Sequence, residues 1–202
     1  ILLVGDSYVH GSCVAPSENI ASQLRNITKK NVLSIGMGGN GPLMELGGIS
    51  EFATVLKPAK VLWFYFERND LEDLRNEKSN SILMNYLNED FTQNLYSKQP
   101  EIDKKLKMYI KFAETEFQKE IFETEKDAEK FLTFKKIIRL QILRDKTALD
   151  RGLNFGIDPL FEKIMIEANN FVNKWDGKLY FVYLPDKERY SNKKIKDNNY
   201  LK

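Results

Sequence analysis

Short apolar runs alternate with amphipathic segments along the first part of the chain. Strands are predicted where the apolar residues are continuous, at residues 1–4, 32–35 and 60–67. A helix is predicted over 17–28 with Ser17 as its cap, and a second over 43–56, which Pro58 ends. Strands that alternate with helices are typical of a parallel sheet with right-handed crossover connections. This part of the chain therefore predicts an α/β fold with a mostly parallel sheet.

The alternation stops after the third strand. Residues 71–156 contain no run typical of a strand, and their apolar residues follow helical spacings over about 99–123 and 131–142. A helix that Asp158 caps and a fourth strand over 179–184 restore the earlier pattern. We therefore expect a helical insertion over about 71–156 after the third strand.

The composition excludes several classes of function. Of the 202 residues, 31 are Lys or Arg and 29 are Asp or Glu, so the net charge of +2 gives no electrostatic reason to expect a nucleic-acid partner. One cysteine, Cys13, and one histidine, His10, are too few for a zinc-ribbon site or a His-rich metal centre. No apolar run approaches the length of a membrane span.

The two ends of the sequence bear on its organisation. The chain begins inside a predicted strand, and it ends on polar residues without a closing element. We therefore expect residues 1–202 to form a single domain that is an excerpt of a longer chain. Targeting cannot be predicted from such an excerpt.

The first candidate for chemistry follows the first strand. Gly5-Asp6-Ser7 places a serine at the carboxyl end of a parallel strand, where open α/β sheets bind ligands. The backbone N–H groups of a following helix would point at the same place, and they could stabilise an oxyanion formed when Ser7 attacks an acyl group. The alternative interpretation is that Ser7 caps that helix and does nothing else.

Two further candidates follow the second and third strands. The glycine-rich turn over 36–41 exposes backbone N–H groups, and Asn69 offers a side-chain amide donor. Each has a plainer interpretation, a tight turn and a helix cap respectively. Because the carboxyl ends of parallel strands share one edge of the sheet, Ser7, the glycine turn and Asn69 are expected to converge on one pocket.

These three segments resemble the conserved blocks of the SGNH, or GDSL, hydrolases. Gly5-Asp6-Ser7 with Gly11 resembles the first block, Gly36-Met37-Gly38-Gly39 the second, and Asn69-Asp70 the third. The resemblance implies a three-layer α/β/α sandwich of the flavodoxin-like type. It also implies a serine esterase or acyl-transfer activity that needs no metal and no organic cofactor.

The resemblance implies a role for each matched residue. Ser7 would be the nucleophile, and its own N–H, the Gly39 N–H and the Asn69 amide would hold the oxyanion, with Gly38 nearly as good a match as Gly39. The extended first block is similar to that of bacterial members that act on acylated surface polysaccharides. We therefore expect an O-acetyl or other short acyl group on a small-molecule or glycan ester as substrate, and an extracytoplasmic or membrane-associated location.

The sequence departs from the SGNH pattern in two places. Glu67 stands where the third block usually has glycine, followed by Arg68; these charges could pair with each other, select a polar substrate or mark a lost activity. The Asp-x-x-His block, which supplies the catalytic base, has no match after residue 186. We expect it beyond Lys202, and we assign His10, with Glu67 and Arg68, to the pocket wall.

Two alternatives to the esterase remain. Gly36-x-Gly38-x-x-Gly41 fits a dinucleotide-binding pattern, although Pro42 follows it and the next acidic strand end, Glu67, lies beyond the usual spacing. A non-catalytic SGNH-like module that binds a glycan or a protein partner is the other alternative, with the insertion as the binding element.

Overall fold

The computed structural model describes residues 1–124, 158–186 and 190. These residues fall into two compact units. The first contains residues 1–96 and 158–186 and holds the whole sheet, whereas 97–124 belong to the second. No helix in the described part of the chain combines the length and the hydrophobicity that a membrane span requires.

Four parallel strands form the sheet, in the order β2-β1-β3-β4. The strands are β1 (Leu2–Val4), β2 (Leu33–Ser34), β3 (Lys60–Phe66) and β4 (Lys178–Leu184). In register, Val4 lies beside Trp63, and Phe66 lies beside Leu184. Because all neighbours are parallel, the segments that follow the strands emerge along one edge of the sheet.

Helices connect the strands. Those before β3 are α1 (Ser7–His10), α2 (Ile20–Thr28), α3 (Pro42–Gly48) and α4 (Thr54–Leu56), with a π-helical segment, Ile49–Ala53, between α3 and α4. Those after β3 are α5 (Asp70–Glu77), α6 (Ser81–Asn85), α7 (Gln99–Thr124) and α8 (Pro159–Asn173). Helix α7 is the described part of the second unit.

The sheet has a hydrophobic core on each face. Alternate residues of β1 divide between them, with Leu2 and Val4 in one core and Leu3 in the other. The first core packs the sheet against α3, α5, α6 and α8, and the second packs it against α1 and α2. Burial on both faces explains why β1 and the centre of β3 are apolar throughout.

Glu51, in the π-helical segment, fixes the chain that follows α6. Its buried carboxylate accepts hydrogen bonds from the hydroxyls of Tyr86 (2.9 Å) and Thr92 (3.1 Å) and from the backbone N–H groups of Gln93 and Leu95. Burial alone would raise the pKa of Glu51, but these donors outweigh it and lower the pKa. The carboxylate therefore ties a loop to the helix without an opposite charge.

The structure confirms most of the predicted elements. All four strands lie where the apolar runs placed them, and the helix predicted over 99–123 is α7. Asp158 caps α8 as expected, because its carboxylate accepts the N–H of Leu160 at 3.0 Å. The predicted Ser17 cap is wrong. Residues 16–18 form a turn, so α2 begins later and Asn19 caps it through the N–H of Ser22.

The predicted insertion spans both units. Residues 71–96 belong to the unit that holds the sheet, where Leu71, Leu74, Leu83 and Tyr86 are buried in the first core. Residues 97–124 belong to the second unit. Residues 125–157, including the helix predicted over 131–142, lie outside the described residues.

A close approach at Gly36 yields a prediction about stability. A Cβ at Gly36 would lie 2.5 Å from two side-chain atoms of Val9 and 3.1 Å from the carbonyl oxygen of Gly5, whereas a Cβ at Gly38 would make only ordinary contacts, the nearest at 3.6 Å. Gly36→Ala should therefore lower the free energy of unfolding by about 1–3 kcal/mol. Gly38→Ala is the matched control for denaturant unfolding, and equal stabilities of the two variants would contradict the packing described.

Candidate functional site

The segments that follow β1 and β2 lie side by side at the carboxyl edge of the sheet. The N–H of Met37 donates to the carbonyl oxygen of Gly5 at 3.3 Å, extending the pairing of the two strands. A Cβ at Gly38 would lie 3.6 Å from the Cβ of Ser7. The glycine turn therefore passes beside the serine, close enough that a side chain at Gly38 would contact it.

Ser7 is the first residue of α1 and is exposed. Asp6, which is 2% exposed, caps this helix by accepting the N–H of Tyr8 on Oδ1 at 3.0 Å. The hydroxyl of Ser7 donates to the other oxygen, Oδ2, at 3.3 Å. The serine thus has an exposed position and a hydroxyl directed towards its neighbour's carboxylate.

Asn69 precedes α5, at the end of the third strand segment, and its amide reaches the same carboxylate. Its Nδ2 donates to Oδ2 of Asp6 at 3.3 Å and to Oδ2 of Asp73 at 2.8 Å. Since one oxygen of Asp6 accepts from both Ser7 and Asn69, the hydroxyl and the amide lie within two hydrogen-bond lengths of each other. The structure therefore brings Ser7, Asn69 and the glycine turn together, as the sequence predicted.

The glycine turn has an open centre. Gly39 has a φ of +86°, which glycine adopts at low cost, and a Cβ there would meet no atom within 4 Å. A hydrogen bond from the N–H of Asn40 to the carbonyl oxygen of Met37 closes the turn at 3.1 Å. Gly38 is the glycine against Ser7, and Gly39 is the next residue along the turn.

A carboxylate from α5 holds the far end of this turn. Glu77 accepts the backbone N–H groups of Gly41 (2.8 Å), Leu43 (2.9 Å) and Met44 (3.3 Å), which are unpaired donors at the start of α3. A negative charge at this end also interacts favourably with the helix dipole. Glu77 therefore fixes where the turn becomes a helix.

Several acids lie close together behind Ser7. The pKa of Asp70 is raised to about 8: burial is the largest cause, the hydrogen bond from the Phe66 N–H opposes it, and the charges of Asp6, Asp73 and Glu77 add to it. Burial likewise raises the pKa of Asp73 and Glu77. Asp70 is therefore largely protonated at neutral pH.

Glu45, on α3, is a further buried acid of this group. It is 1% exposed, and neither carboxyl oxygen has a hydrogen-bond partner in the described part of the chain. Burial, and then the charges of Asp70, Asp6 and Glu77, raises the pKa of Glu45 well above its ordinary value, and the Trp63 indole N–H opposes the rise only in part. A neutral Glu45 avoids the cost of placing a charge in the core.

The three residues predicted for the pocket wall lie in different surroundings. His10 is exposed at the end of α1, and no hydrogen bond joins its side chain to Ser7. Glu67 accepts the N–H of Asp186 on Oε2 at 3.1 Å, and Arg68 Nε lies 3.8 Å from Oδ2 of Asp186. Glu67 and Arg68 thus connect the ends of β3 and β4, a contact the sequence analysis did not anticipate.

Sequence reasoning missed two residues of this site, Asp73 and Glu77. The signal was available, since Asn69, Asp73 and Glu77 are spaced by four and share one face of α5. Polar residues spaced by four are common on exposed helices of any function. The sequence alone therefore could not show that Asp73 and Glu77 contact the glycine turn.

Among residues 1–124, 158–186 and 190, no group of three or more His, Cys, Asp or Glu is placed to hold a metal ion. A scan against protein-family models, a search of curated proteins and a search of solved structures each gave no match. The resemblance to the SGNH hydrolases therefore rests on the matched sequence segments alone.

The buried acids predict how stability depends on pH. Between the ordinary pKa of 3.8 and about 8, folded Asp70 retains a proton that the unfolded chain has lost, so the free energy of unfolding falls as the pH rises. Asp70→Asn keeps an oxygen for the Phe66 N–H and removes the titration. In thermal unfolding, the melting temperature of Asp70→Asn minus that of the native protein should rise from pH 5 to pH 8. Exposed Glu72→Gln is the control, and parallel curves for Asp70→Asn and the native protein would contradict the assignment.

Proposed function

We propose that the chain is an SGNH-type serine hydrolase domain that cleaves or transfers short acyl esters. The strand order β2-β1-β3-β4, all parallel with helices on both faces, supports a three-layer α/β/α sandwich of the flavodoxin-like type. In such sheets the binding crevice lies outside the carboxyl ends of the strands, where Ser7 is found.

One observation carries the proposal: the Ser7 hydroxyl and the Asn69 amide meet at one oxygen of Asp6, beside the glycine turn. A nucleophile next to an amide donor and an open glycine turn is what acyl transfer requires. We assign Ser7 as nucleophile, and its N–H, the Gly39 N–H and the Asn69 amide as oxyanion donors.

The proposed reaction follows from these positions. Ser7 Oγ attacks the acyl carbonyl carbon while a base takes its proton, and the negative charge moves to the carbonyl oxygen, facing the donors. Collapse of the tetrahedral intermediate breaks the ester bond, and the alcohol leaves with the proton. Water, or an acceptor hydroxyl, then attacks the acyl-enzyme and releases the acid or the transferred ester.

We place the base outside this sequence. His10 is the single histidine of the 202 residues, and its place one turn after Ser7 on a short helix directs it beside the serine rather than at its hydroxyl. An Asp-x-x-His segment outside residues 1–202, as in the SGNH hydrolases, is our proposed source of the missing pair. An O-acetylated or otherwise short-acylated glycan is the substrate class that we propose, and it rests on the family resemblance.

The geometry favours this function over dinucleotide binding. A dinucleotide-binding turn presents free N–H groups at a helix N-terminus to a pyrophosphate. Here the Glu77 carboxylate takes the N–H groups of Gly41, Leu43 and Met44, so that position already holds an anion. A non-catalytic module that binds a glycan or a partner is the alternative that the next experiment tests.

Covalent labelling tests the nucleophile. In the full-length protein, a fluorophosphonate should modify Ser7, and Ser7→Ala should abolish labelling, whereas the exposed Ser12→Ala should label normally. Peptide mass spectrometry locates the adduct.

The 202-residue chain alone should label and turn over poorly, because it lacks the proposed base. Absence of labelling in the full-length protein would favour the non-catalytic module, and robust turnover by the 202-residue chain would indicate His10 as the base.

Removal of the amide donor tests the oxyanion site. Asn69→Ala should lower kcat on a short-chain ester by roughly 10²–10³. Asn76→Ala, an exposed asparagine on the same helix, should leave kcat unchanged. Steady-state kinetics and thermal unfolding separate chemistry from folding, and an unchanged kcat for Asn69→Ala would remove Asn69 from the site.

A further inference from the structure

The two donors of the Asn69 amide make unequal hydrogen bonds. One N–H donates to Asp73 at 2.8 Å, the usual length of a well-formed bond to a carboxylate. The other donates to Asp6 Oδ2 at 3.3 Å, beyond the usual range for such bonds, and does so at the oxygen that the Ser7 hydroxyl also contacts. The short bond fixes the amide, and the long one lies on the side of the serine.

Asp73 also packs closely against the glycine turn. A Cβ at Gly41 would lie 2.8 Å from the Cβ of Asp73, so only glycine permits the turn to pack this closely against α5. One helical turn further, Glu77 accepts the Gly41 N–H at 2.8 Å. Asp73 therefore lies between the amide and the glycine turn, in contact with both.

The carbonyl oxygen of the same amide also bears on its orientation. Oδ1 of Asn69 is buried and has no hydrogen-bond partner among the described residues. Turning the amide over would place this oxygen against the carboxylates of Asp73 and Asp6 and repel them, so these carboxylates select one orientation. No other side chain in the described residues forms a hydrogen bond with the Asn69 side chain.

We propose that Asp73 is a positioning residue that orients the Asn69 amide, so that its second N–H faces the oxyanion formed at Ser7. The inference rests on the proposed esterase function. As the tetrahedral intermediate forms, this N–H exchanges its long hydrogen bond to Asp6 for one to the oxyanion, while the bond to Asp73 stays in place. Asp73 itself does not touch the substrate.

Three variants of the full-length protein test this role. Asp73→Ala removes the acceptor and should lower kcat on a short-chain ester about 10- to 100-fold with little change in KM, because the donor matters in the transition state. Asp73→Asn keeps an oxygen for the Asn69 N–H and should restore kcat to within about threefold of the native value. Glu72→Ala, exposed on the same helix, should match the native protein.

The outcomes separate this inference from the proposed function. If the native protein shows no turnover that depends on Ser7, the esterase proposal fails and the inference fails with it. If the native protein is active and Asp73→Ala has an unchanged kcat, positioning by Asp73 is refuted while the esterase stands. Equal loss of kcat in Asp73→Ala and Asp73→Asn, together with a lowered melting temperature in both, would show a structural role instead. Loss in Asp73→Ala with rescue in Asp73→Asn supports the inference.

Discussion

The candidate site depends on the hydrogen bonds that the buried carboxylate of Asp6 accepts. It accepts the N–H of Tyr8, the hydroxyl of Ser7 and the amide of Asn69, so it caps the helix after β1 and connects that helix to the segment after β3. A carboxylate that is 2% exposed would be costly without such donors. The same donors that satisfy the carboxylate therefore bring the Ser7 hydroxyl and the Asn69 amide together.

The buried acids of the first unit follow one rule. Glu45 accepts no hydrogen bond in the described residues, Asp70 accepts the Phe66 N–H, Glu77 accepts three N–H groups and Glu51 accepts four donors. The pKa shifts follow this order, from well above the ordinary value for Glu45, through about 8 for Asp70 and a rise for Glu77, to a lowering for Glu51. In each of these acids burial raises the pKa and hydrogen-bond donors oppose the rise, and only in Glu51 do the donors prevail.

Much of the fold could be predicted from the sequence, since continuous apolar runs mark strands buried on both faces. That Ser7, the glycine turn and Asn69 share one edge of the sheet was also predictable from parallel strands, and the strand order, with β2 and β3 on either side of β1, brings them together. The contacts of Asp73 and Glu77 with the turn were not, since they depend on how α5 packs against α3. Nor was the meeting of Glu67 with Asp186, which lies 119 residues away in sequence. Long-range polar contacts of this kind leave no periodic pattern.

Glu77 supplies the glycine turn with a hydrogen-bond acceptor from within the protein, so the turn needs no ligand to satisfy its N–H groups. Its carboxylate satisfies three N–H groups at the start of α3, and the missing side chain of Gly41 lets α5 lie directly against them. In the proposed reaction, the backbone of the turn would therefore need little reorganisation. Adaptation to different acyl groups would then fall to the flanking side chains.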